Sequence, residues 1–133
     1  MATWLRIREQ VHSNLIGTWR LTQAVVPLMR ARGYGRIVNI SGGPAGLAGI
    51  DRGLAGYYVS KSAVNALTRL LADELAGDGI LVNACSPDLA HLNRPDSGPD
   101  RFAASPDTPV WLATLPEDGP TGGFYRGRTS IDW

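Results

Sequence analysis

The sequence of 133 residues contains a single cysteine, Cys85, and its charges almost cancel, leaving a formal net charge of +1. One cysteine excludes an internal disulfide and a zinc site built from cysteines. A net charge so close to zero, without a cluster of lysine and arginine, argues against a nucleic-acid surface. We therefore expect no metal site and no nucleic-acid partner.

Long hydrophobic runs are also lacking. No apolar stretch approaches the roughly 20 residues of a transmembrane helix. The first ten residues, MATWLRIREQ, lack the apolar core of a signal peptide. We therefore expect no membrane partner and a soluble cytoplasmic protein. The length is that of one domain, so residues 1–133 are interpreted as a single domain.

The hydrophobic pattern alternates between helical and strand periods. A helical stripe extends from Ile7 to Arg30, and Pro27 within it should kink or shorten the helix. The β-branched stretch RIVNIS predicts a strand over 36–41, and ILVNACS predicts another over 80–86. A second long helix is predicted over 57–76, because leucines and valines recur on one face.

The remaining segments complete an α/β pattern. TPVWLATL predicts a short helix, GGFYR a short third strand and GRTSIDW a tail. The order helix, strand, helix, strand, short helix, strand is that of a partial doubly wound parallel sheet, with about three strands and two long helices. Such sheets bind ligands beyond the carboxyl ends of their strands. Two loops rich in turn-forming residues, 42–56 and 87–107, begin there.

The stretch YYVSK places Tyr57 four residues before Lys61 at the start of the second long helix. Residues at this spacing share a helix face and can reach one ligand. A cation close to a phenol favours loss of the phenolic proton, which makes the phenol a usable general acid. Tyr58 is the alternative proton donor. The spacing alone is also typical of a packed aromatic followed by a solvated lysine.

Several motifs in order together resemble the short-chain dehydrogenase/reductase family, in its carbonyl-reductase-like branch. They are Asn-Leu-Ile-Gly in the first long helix, the strand IVNIS, a glycine-rich loop, Tyr-x-x-x-Lys opening a helix, and GILVNACSP. The similarity extends from about Ile7 to Trp133. It implies the C-terminal half of a Rossmann-like fold and an oxidoreductase that uses NADP or NAD to reduce a small carbonyl substrate to an alcohol.

The resemblance also implies roles for single residues. Tyr57 would donate a proton to the carbonyl oxygen, and Lys61 would hold the nicotinamide ribose beside it. Asn14 would hold a water that connects the lysine to solvent. Ser41 is the candidate for the serine that bonds the substrate carbonyl. Pro87 opens the loop that would lie against the nicotinamide. Catalytic candidates are thus Tyr57, Lys61, Asn14 and Ser41, and cofactor-binding candidates are Tyr57, Lys61 and Pro87.

The sequence departs from the family pattern at this site. The family's catalytic serine is the second hydroxyl residue after the strand, and Gly42 occupies that position. Neighbouring strand residues face opposite ways, so Ser41 should point away from the substrate and bond to backbone, unless the glycines turn it back. Asp88 stands where the family has glycine, and Leu92 stands where it has threonine. His91 nearby is interpreted as a solvent-exposed loop residue.

The family's phosphate-binding turn precedes these motifs, and only thirteen residues precede Asn14. We therefore expect the N-terminal nucleotide-binding half to be missing, and the strand RIVNIS to be an exposed sheet edge that invites a partner. The two long helices are those through which family members commonly associate. The expected partners are a second copy, forming a homodimer, or a full-length relative.

Three interpretations of function stay open. The chain is an NAD(P)-dependent oxidoreductase that is impaired in isolation, a non-catalytic pseudo-subunit that docks on a full-length relative, or the product of a truncated reading frame. The residues Tyr57, Lys61 and Asn14 favour the first. Gly42 and the missing phosphate-binding turn favour the other two.

Overall fold

The computed structural model describes residues 3–42, 54–86 and 107–133, and every structural statement below concerns these ranges. Four α-helices, one π-helical segment and four strands alternate along the chain. They are α1 (Trp4–Val11), the π segment (His12–Gly17), α2 (Thr18–Arg32), β1 (Gly35–Ile40), α3 (Ala55–Glu74), β2 (Ile80–Cys85), α4 (Asp107–Ala113), β3 (Phe124–Arg126) and β4 (Thr129–Ser130).

The first long helix is a succession of α1, the π segment and α2. The Thr3 side chain caps its start by accepting a hydrogen bond from the Arg6 N–H at 3.4 Å. Pro27 does not shorten it: α2 continues to Arg32 and ends at Gly33, which has a left-handed φ of 61°. Pro27 is exposed, while Val26 beside it is buried against the core. Core packing on the buried side therefore sustains the helix past the proline.

The predicted α/β fold class is confirmed. The strand order is β1-β2-β3-β4, and β1 and β2 run parallel in a register from Gly35 opposite Ile80 to Ile40 opposite Cys85. β3 is also parallel to β2, and its pairs include Cys85 with Tyr125. This is the mostly parallel open sheet that the alternation of helices and strands predicts.

The predicted tail contains a fourth strand that the sequence analysis missed. β4 pairs antiparallel with β3, and Arg126 lies opposite Thr129. The two residues between them, Gly127 and Arg128, have φ of 54° and 62°. Two consecutive residues with positive φ form the type I′ hairpin turn. An arginine at the second position is an unusual choice for that turn, which is why the sequence pattern did not predict it.

Side chains from both faces of the sheet form the core. One cluster packs α2 and α3 on the sheet, and a second packs α4 on the other face. Successive strand residues alternate between them, as in Ile37 and Val82 on one face and Val38 and Leu81 on the other. The first cluster comprises Val26, Ile37, Leu67, Leu71, Ala72, Leu75, Ile80 and Val82, and the second Cys85, Leu112, Leu115 and Tyr125.

Polar residues inside this core tie α3 to the sheet. The Asn39 amide donates to the Thr68 hydroxyl at 2.9 Å, and that hydroxyl donates to the Val64 carbonyl at 2.8 Å. Both Asn39 and Thr68 are buried. Buried polar groups that are fully bonded fix one relative placement of two elements. The pair therefore sets where α3 lies along β1.

Large apolar side chains remain exposed on the helices, among them Trp4, Leu21, Leu28 and Leu70. They are compatible with the predicted homodimer or association with a full-length relative, which stays a prediction. In the described ranges, no helix is long and apolar enough to cross a membrane.

The buried thiol of Cys85 gives a testable consequence of this packing. Burial raises the pKa of Cys85 from 9.0 to about 11. The thiol therefore keeps its proton more firmly in the folded than in the unfolded chain. Its contribution to the free energy of unfolding is fully present below pH 9.0 and is lost as the pH rises through about 11. We expect iodoacetamide to alkylate folded protein at least about tenfold more slowly than urea-unfolded protein at mildly alkaline pH, because the thiolate is the nucleophile.

The matched control for this prediction is Cys85→Ala. Its stability, followed by urea titration, should fall less between pH 9 and 11 than that of the unaltered chain. Equal alkylation rates in the folded and unfolded states would show that Cys85 is not enclosed.

Candidate active site

The candidate site lies where β1 ends and α3 begins, at the carboxyl edge of the parallel sheet. Ile40 is the last residue of β1, and Ser41 and Gly42 follow it. Tyr57 is in the first turn of α3, and Lys61 follows one turn later. The structure thus brings the two residues of the Tyr-x-x-x-Lys motif to the strand end, where open α/β sheets bind ligands.

The hydroxyl of Tyr57 lies directly against the backbone of Gly42. A Cβ atom added to Gly42 would overlap the Tyr57 Oη and stand 3.1 Å from its Cζ. A side chain at position 42 would therefore require the Tyr57 ring to shift. The overlap also means that the side-chain direction of position 42 points at the phenol, so a hydroxyl residue there would face Tyr57.

A second glycine, Gly56, precedes Tyr57 in the first turn of α3 and lies against α1. A Cβ atom on Gly56 would overlap the Gln10 Oε1 and stand 3.0 Å from the Cα of Ile7. Gly56 therefore lets α1 pack closely against the first turn of α3. Tyr57 is half-buried, and its ring meets that of Tyr58 edge-on, with 5.7 Å between the centroids.

The ammonium of Lys61 lies between the strand end and the tyrosine. Its Nζ donates to the Ile40 carbonyl at 2.8 Å and stands 5.9 Å from the centroid of the Tyr57 ring. Burial lowers the pKa of Lys61, because desolvation disfavours the charged form. Tyr57 and Lys61 therefore share one face of α3, as their spacing predicted.

Asn14 reaches the same region from the π segment. Its Nδ2 donates to the Ser60 hydroxyl at 3.0 Å, and that hydroxyl donates to the Tyr57 carbonyl at 2.8 Å. Asn14 and Lys61 also line one groove. The main-chain carbonyl of Asn14 accepts a hydrogen bond from the Thr18 hydroxyl at 2.7 Å. Asn14 lies in the π segment, and π-helical turns occur frequently at functional sites.

Ser60 and the π segment were missed by the sequence analysis. Ser60 is fully buried and connects Asn14 to the first turn of α3. A small hydroxyl residue within the Tyr-x-x-x-Lys motif was the available signal. No pattern of residue types distinguishes a π turn from an α turn, because both carry the same side chains along one continuous helix.

Ser41 points away from Tyr57. It is buried, and its hydroxyl donates to the Lys61 carbonyl at 3.3 Å, while its N–H donates to the Cys85 carbonyl at 2.8 Å. This is the backbone-bonded placement that strand alternation predicts. The catalytic role proposed for Ser41 gains no support from this placement and stays a prediction.

Four further predicted positions, Pro87, Asp88, His91 and Leu92, lie outside the described residues. The proposed contact of Pro87 with the nicotinamide therefore stays a prediction. Within the described ranges, Tyr57 and Lys61 could hold the ribose end of a cofactor. The same ranges contain no glycine-rich turn between a strand and a helix N-terminus, which is the usual cradle for a pyrophosphate.

Comparison with known proteins identifies relatives of this arrangement. The sequence profile of the short chain dehydrogenase family matches residues 3–91. The chain is 40% identical to carbonyl reductase [NADPH] 1 of Sus scrofa, over 58% of the chain and 29% of that protein. It is 38% identical to oxidoreductase UcpA of Salmonella typhimurium, over 76% of the chain and 37% of that protein.

A solved structure shares the fold over nearly the whole chain. The carbonyl reductase Sniffer of D. melanogaster superposes with a TM-score of 0.76, over 99% of this chain and 59% of that one. Their sequences are 21% identical, so this likeness shows the fold alone. The chain spans about a third of the length of the curated relatives it matches.

The contact between Gly42 and Tyr57 can be tested by a double-mutant cycle. We expect Gly42→Ala to destabilise the chain by up to about 1 kcal/mol, below the cost of overpacking a closed core, because the half-buried Tyr57 ring must shift to admit the methyl group. In a Tyr57→Ala background the same change should cost much less. Urea titrations of the four proteins give the coupling energy. Equal costs in the two backgrounds would show that the phenol does not occupy this position.

Proposed function

The chain belongs to the short chain dehydrogenase family, and from that premise we propose that it carries the proton-donating end of an NAD(P)-dependent oxidoreductase that reduces a carbonyl to an alcohol. The observation that carries the proposal is the placement of the Tyr57 hydroxyl against Gly42 at the end of β1, with the Lys61 ammonium beside its ring. A general acid and a cation thus meet where parallel sheets bind ligands.

In this proposal, Tyr57 is the group that moves a proton. Its hydroxyl donates to the carbonyl oxygen of the substrate, and the oxygen becomes an alcohol. The Lys61 cation stabilises the negative charge that remains on the phenol. Position 42 contributes no side-chain donor to the substrate oxygen, so Tyr57 supplies that interaction without the help of a second hydroxyl. We therefore expect a lower turnover rate than in relatives that have a hydroxyl residue at this position.

The bonds around α3 hold Tyr57 for this role. Asn14 donates to Ser60, and Ser60 donates to the Tyr57 carbonyl, so the π segment fixes the first turn of the helix. The Thr68 bond to Asn39 fixes the same helix farther along β1. A proton donor must be held within hydrogen-bond reach of the reacting atom, and these bonds restrict the motion of the helix that carries it.

The cofactor proposed is NADP or NAD. When bound, the nicotinamide supplies the hydride. Tyr57 and Lys61 would hold its ribose end, since both side chains lie on one face of α3 at the strand end. One relative, the carbonyl reductase of Sus scrofa, carries NADPH in its name.

A second candidate function is that of a non-catalytic subunit that docks on a full-length relative. The observation that favours it is Gly42, which leaves the position facing Tyr57 without a hydroxyl. The open edge of β1, paired with β2 alone in the described ranges, is compatible with such docking.

Turnover measurements distinguish the two candidates. We expect the chain, mixed with the separately produced N-terminal half of a relative, to oxidise NADPH in the presence of aromatic and aliphatic ketones. Tyr57→Phe should lower the rate at least about 100-fold, because phenylalanine has no proton to donate. Tyr58→Phe, the matched control, should retain most of the rate.

The reverse ranking would assign the role to Tyr58. Absence of turnover in a mixture that demonstrably binds NADPH would contradict the catalytic proposal and favour the docking subunit.

Binding of NADPH by the isolated chain should be weak. The motivation is that the described residues contain no phosphate-cradling turn, and such turns supply the main-chain donors for the pyrophosphate. We expect isothermal titration of the isolated chain to give a dissociation constant above about 100 μM, that is, a binding free energy weaker than about 5.5 kcal/mol. A low-micromolar constant would show that other residues cradle the phosphates.

A further inference from the structure

Lys61 is the only lysine in the sequence, and the other basic residues among its thirteen lysines and arginines are all arginine. An arginine guanidinium stays protonated in proteins, whereas a lysine amine can lose its proton and attack a carbonyl carbon. Lys61 is therefore the only side chain of this sequence that offers a primary amine to an electrophile.

The surroundings of Lys61 favour loss of its proton. Its Nζ donates to the neutral carbonyl of Ile40 at 2.8 Å, not to a carboxylate. Burial lowers the pKa of Lys61, because desolvation disfavours the ammonium. A neutral amine keeps a hydrogen for the Ile40 carbonyl and a lone pair for a second atom. The bond that holds Nζ at the strand end is thus compatible with a nucleophilic amine.

The Tyr57 hydroxyl reaches the same short stretch of main chain. Nζ contacts the carbonyl of Ile40, and the Tyr57 Oη lies where a Cβ atom of Gly42 would be. Nζ stands 5.9 Å from the centroid of the Tyr57 ring. Ser41, between the two contacts, turns its hydroxyl to the Lys61 carbonyl. A nitrogen nucleophile and a proton-carrying oxygen therefore meet at the end of β1.

Lys61 is also accessible, unlike the thiol of the chain. Lys61 and Tyr57 are both half-buried. Cys85, the single cysteine, is fully buried, and burial raises its pKa to about 11. A thiol reacts as the thiolate, so Cys85 is inert near neutral pH. Of these two nucleophiles, only Lys61 combines contact with solvent and a neighbouring proton donor.

We propose that Lys61 condenses reversibly with a small aldehyde to form an imine, and that the Tyr57 hydroxyl transfers the protons of this reaction. An aldehyde is the expected class of ligand, because its carbonyl carbon is more electrophilic and less crowded than that of a ketone. This activity goes beyond the hydride transfer proposed above, does not rest on it and needs no nicotinamide.

The steps balance in atoms and protons. Neutral Nζ attacks the carbonyl carbon, a C–N bond forms, and the carbonyl oxygen takes the Tyr57 proton. The phenolate then removes one proton from the nitrogen, which gives a carbinolamine. Tyr57 next protonates the hydroxyl group, the C–O bond breaks and water leaves, while the nitrogen lone pair forms the C=N bond. The last proton on nitrogen returns to the phenolate, and no oxidant or reductant is consumed.

The two uses proposed for Lys61 exclude each other. An imine consumes the amine that would hold the nicotinamide ribose, so an aldehyde on Lys61 would compete with the cofactor. The chain without a bound nicotinamide is therefore the state in which Lys61 is free to react.

The test is reductive trapping of the imine in the full chain. The protein is incubated without NADPH at neutral pH with propanal as the probe and sodium cyanoborohydride, which reduces an imine to a stable secondary amine. Peptide mapping by mass spectrometry separates propylated Lys61 from the α-amino group. We expect Lys61 to be propylated at least about tenfold faster in the folded chain than in the chain unfolded in guanidinium chloride, because only the folded chain places a phenol beside the amine.

Two tyrosine variants test the part of the phenol. Tyr57→Phe keeps the ring and removes the proton, so it should slow propylation of Lys61 at least about tenfold. Tyr58→Phe, the matched control, removes the neighbouring hydroxyl and should keep the rate. Lys61→Arg keeps the positive charge and should abolish side-chain labelling.

Propylation of Lys61 that is no faster in the folded than in the unfolded chain would overturn the proposal. Equal rates for the two tyrosine variants would overturn it as well. If Tyr57→Phe fails to fold, the comparison of folded and unfolded chain decides without a variant. Since the assay contains no NADPH, its failure leaves the proposed hydride transfer standing, and failure of the ketone assay leaves this result standing.

Discussion

The attachment of α3 to the end of β1 is the interaction on which the rest of the candidate site depends. Two hydrogen bonds at Lys61 make it: the Nζ donates to the Ile40 carbonyl, and the Lys61 carbonyl accepts the Ser41 hydroxyl. Farther along the helix, Asn39 bonds to Thr68 inside the core. These bonds fix the rotation of α3 about its axis and its position along β1. The position of the Tyr57 hydroxyl follows from both.

Close backbone contact is the second constraint. Gly42 admits the phenol from the strand side, and Gly56 admits α1 from the helix side. The same absence of a side chain that lets Tyr57 reach the strand end also removes a hydroxyl from the position facing it. If Tyr57 has the proposed role of proton donor, the absence of a hydroxyl at position 42 is a structural reason for a weaker catalyst.

Lys61 belongs to the candidate active site and also contacts the open edge of β1. The side chain that would stabilise a phenolate also satisfies one carbonyl of the open β1 edge. Its partly buried ammonium and the guanidinium of Arg36 give the groove its positive character.

The sequence by itself determined the fold class, the order of elements and the Tyr57–Lys61 pair, because hydrophobic periodicity and four-residue helical spacing are local properties. Strand alternation also predicted that the Ser41 hydroxyl would bond to backbone, and it donates to the Lys61 carbonyl. The hairpin at Gly127 and Arg128 was not predicted from the sequence, because an arginine such as Arg128 is rarely found with positive φ.

Only the tertiary structure decided the remaining features of the site. The path from Asn14 through Ser60 to α3 joins residues 46 positions apart. The contact of Gly42 with Tyr57 and the bond of Lys61 to Ile40 depend on the packing of α3 on β1. Such contacts have no sequence signature, because the side chains involved would be equally acceptable in solvent until the core aligns the elements that carry them.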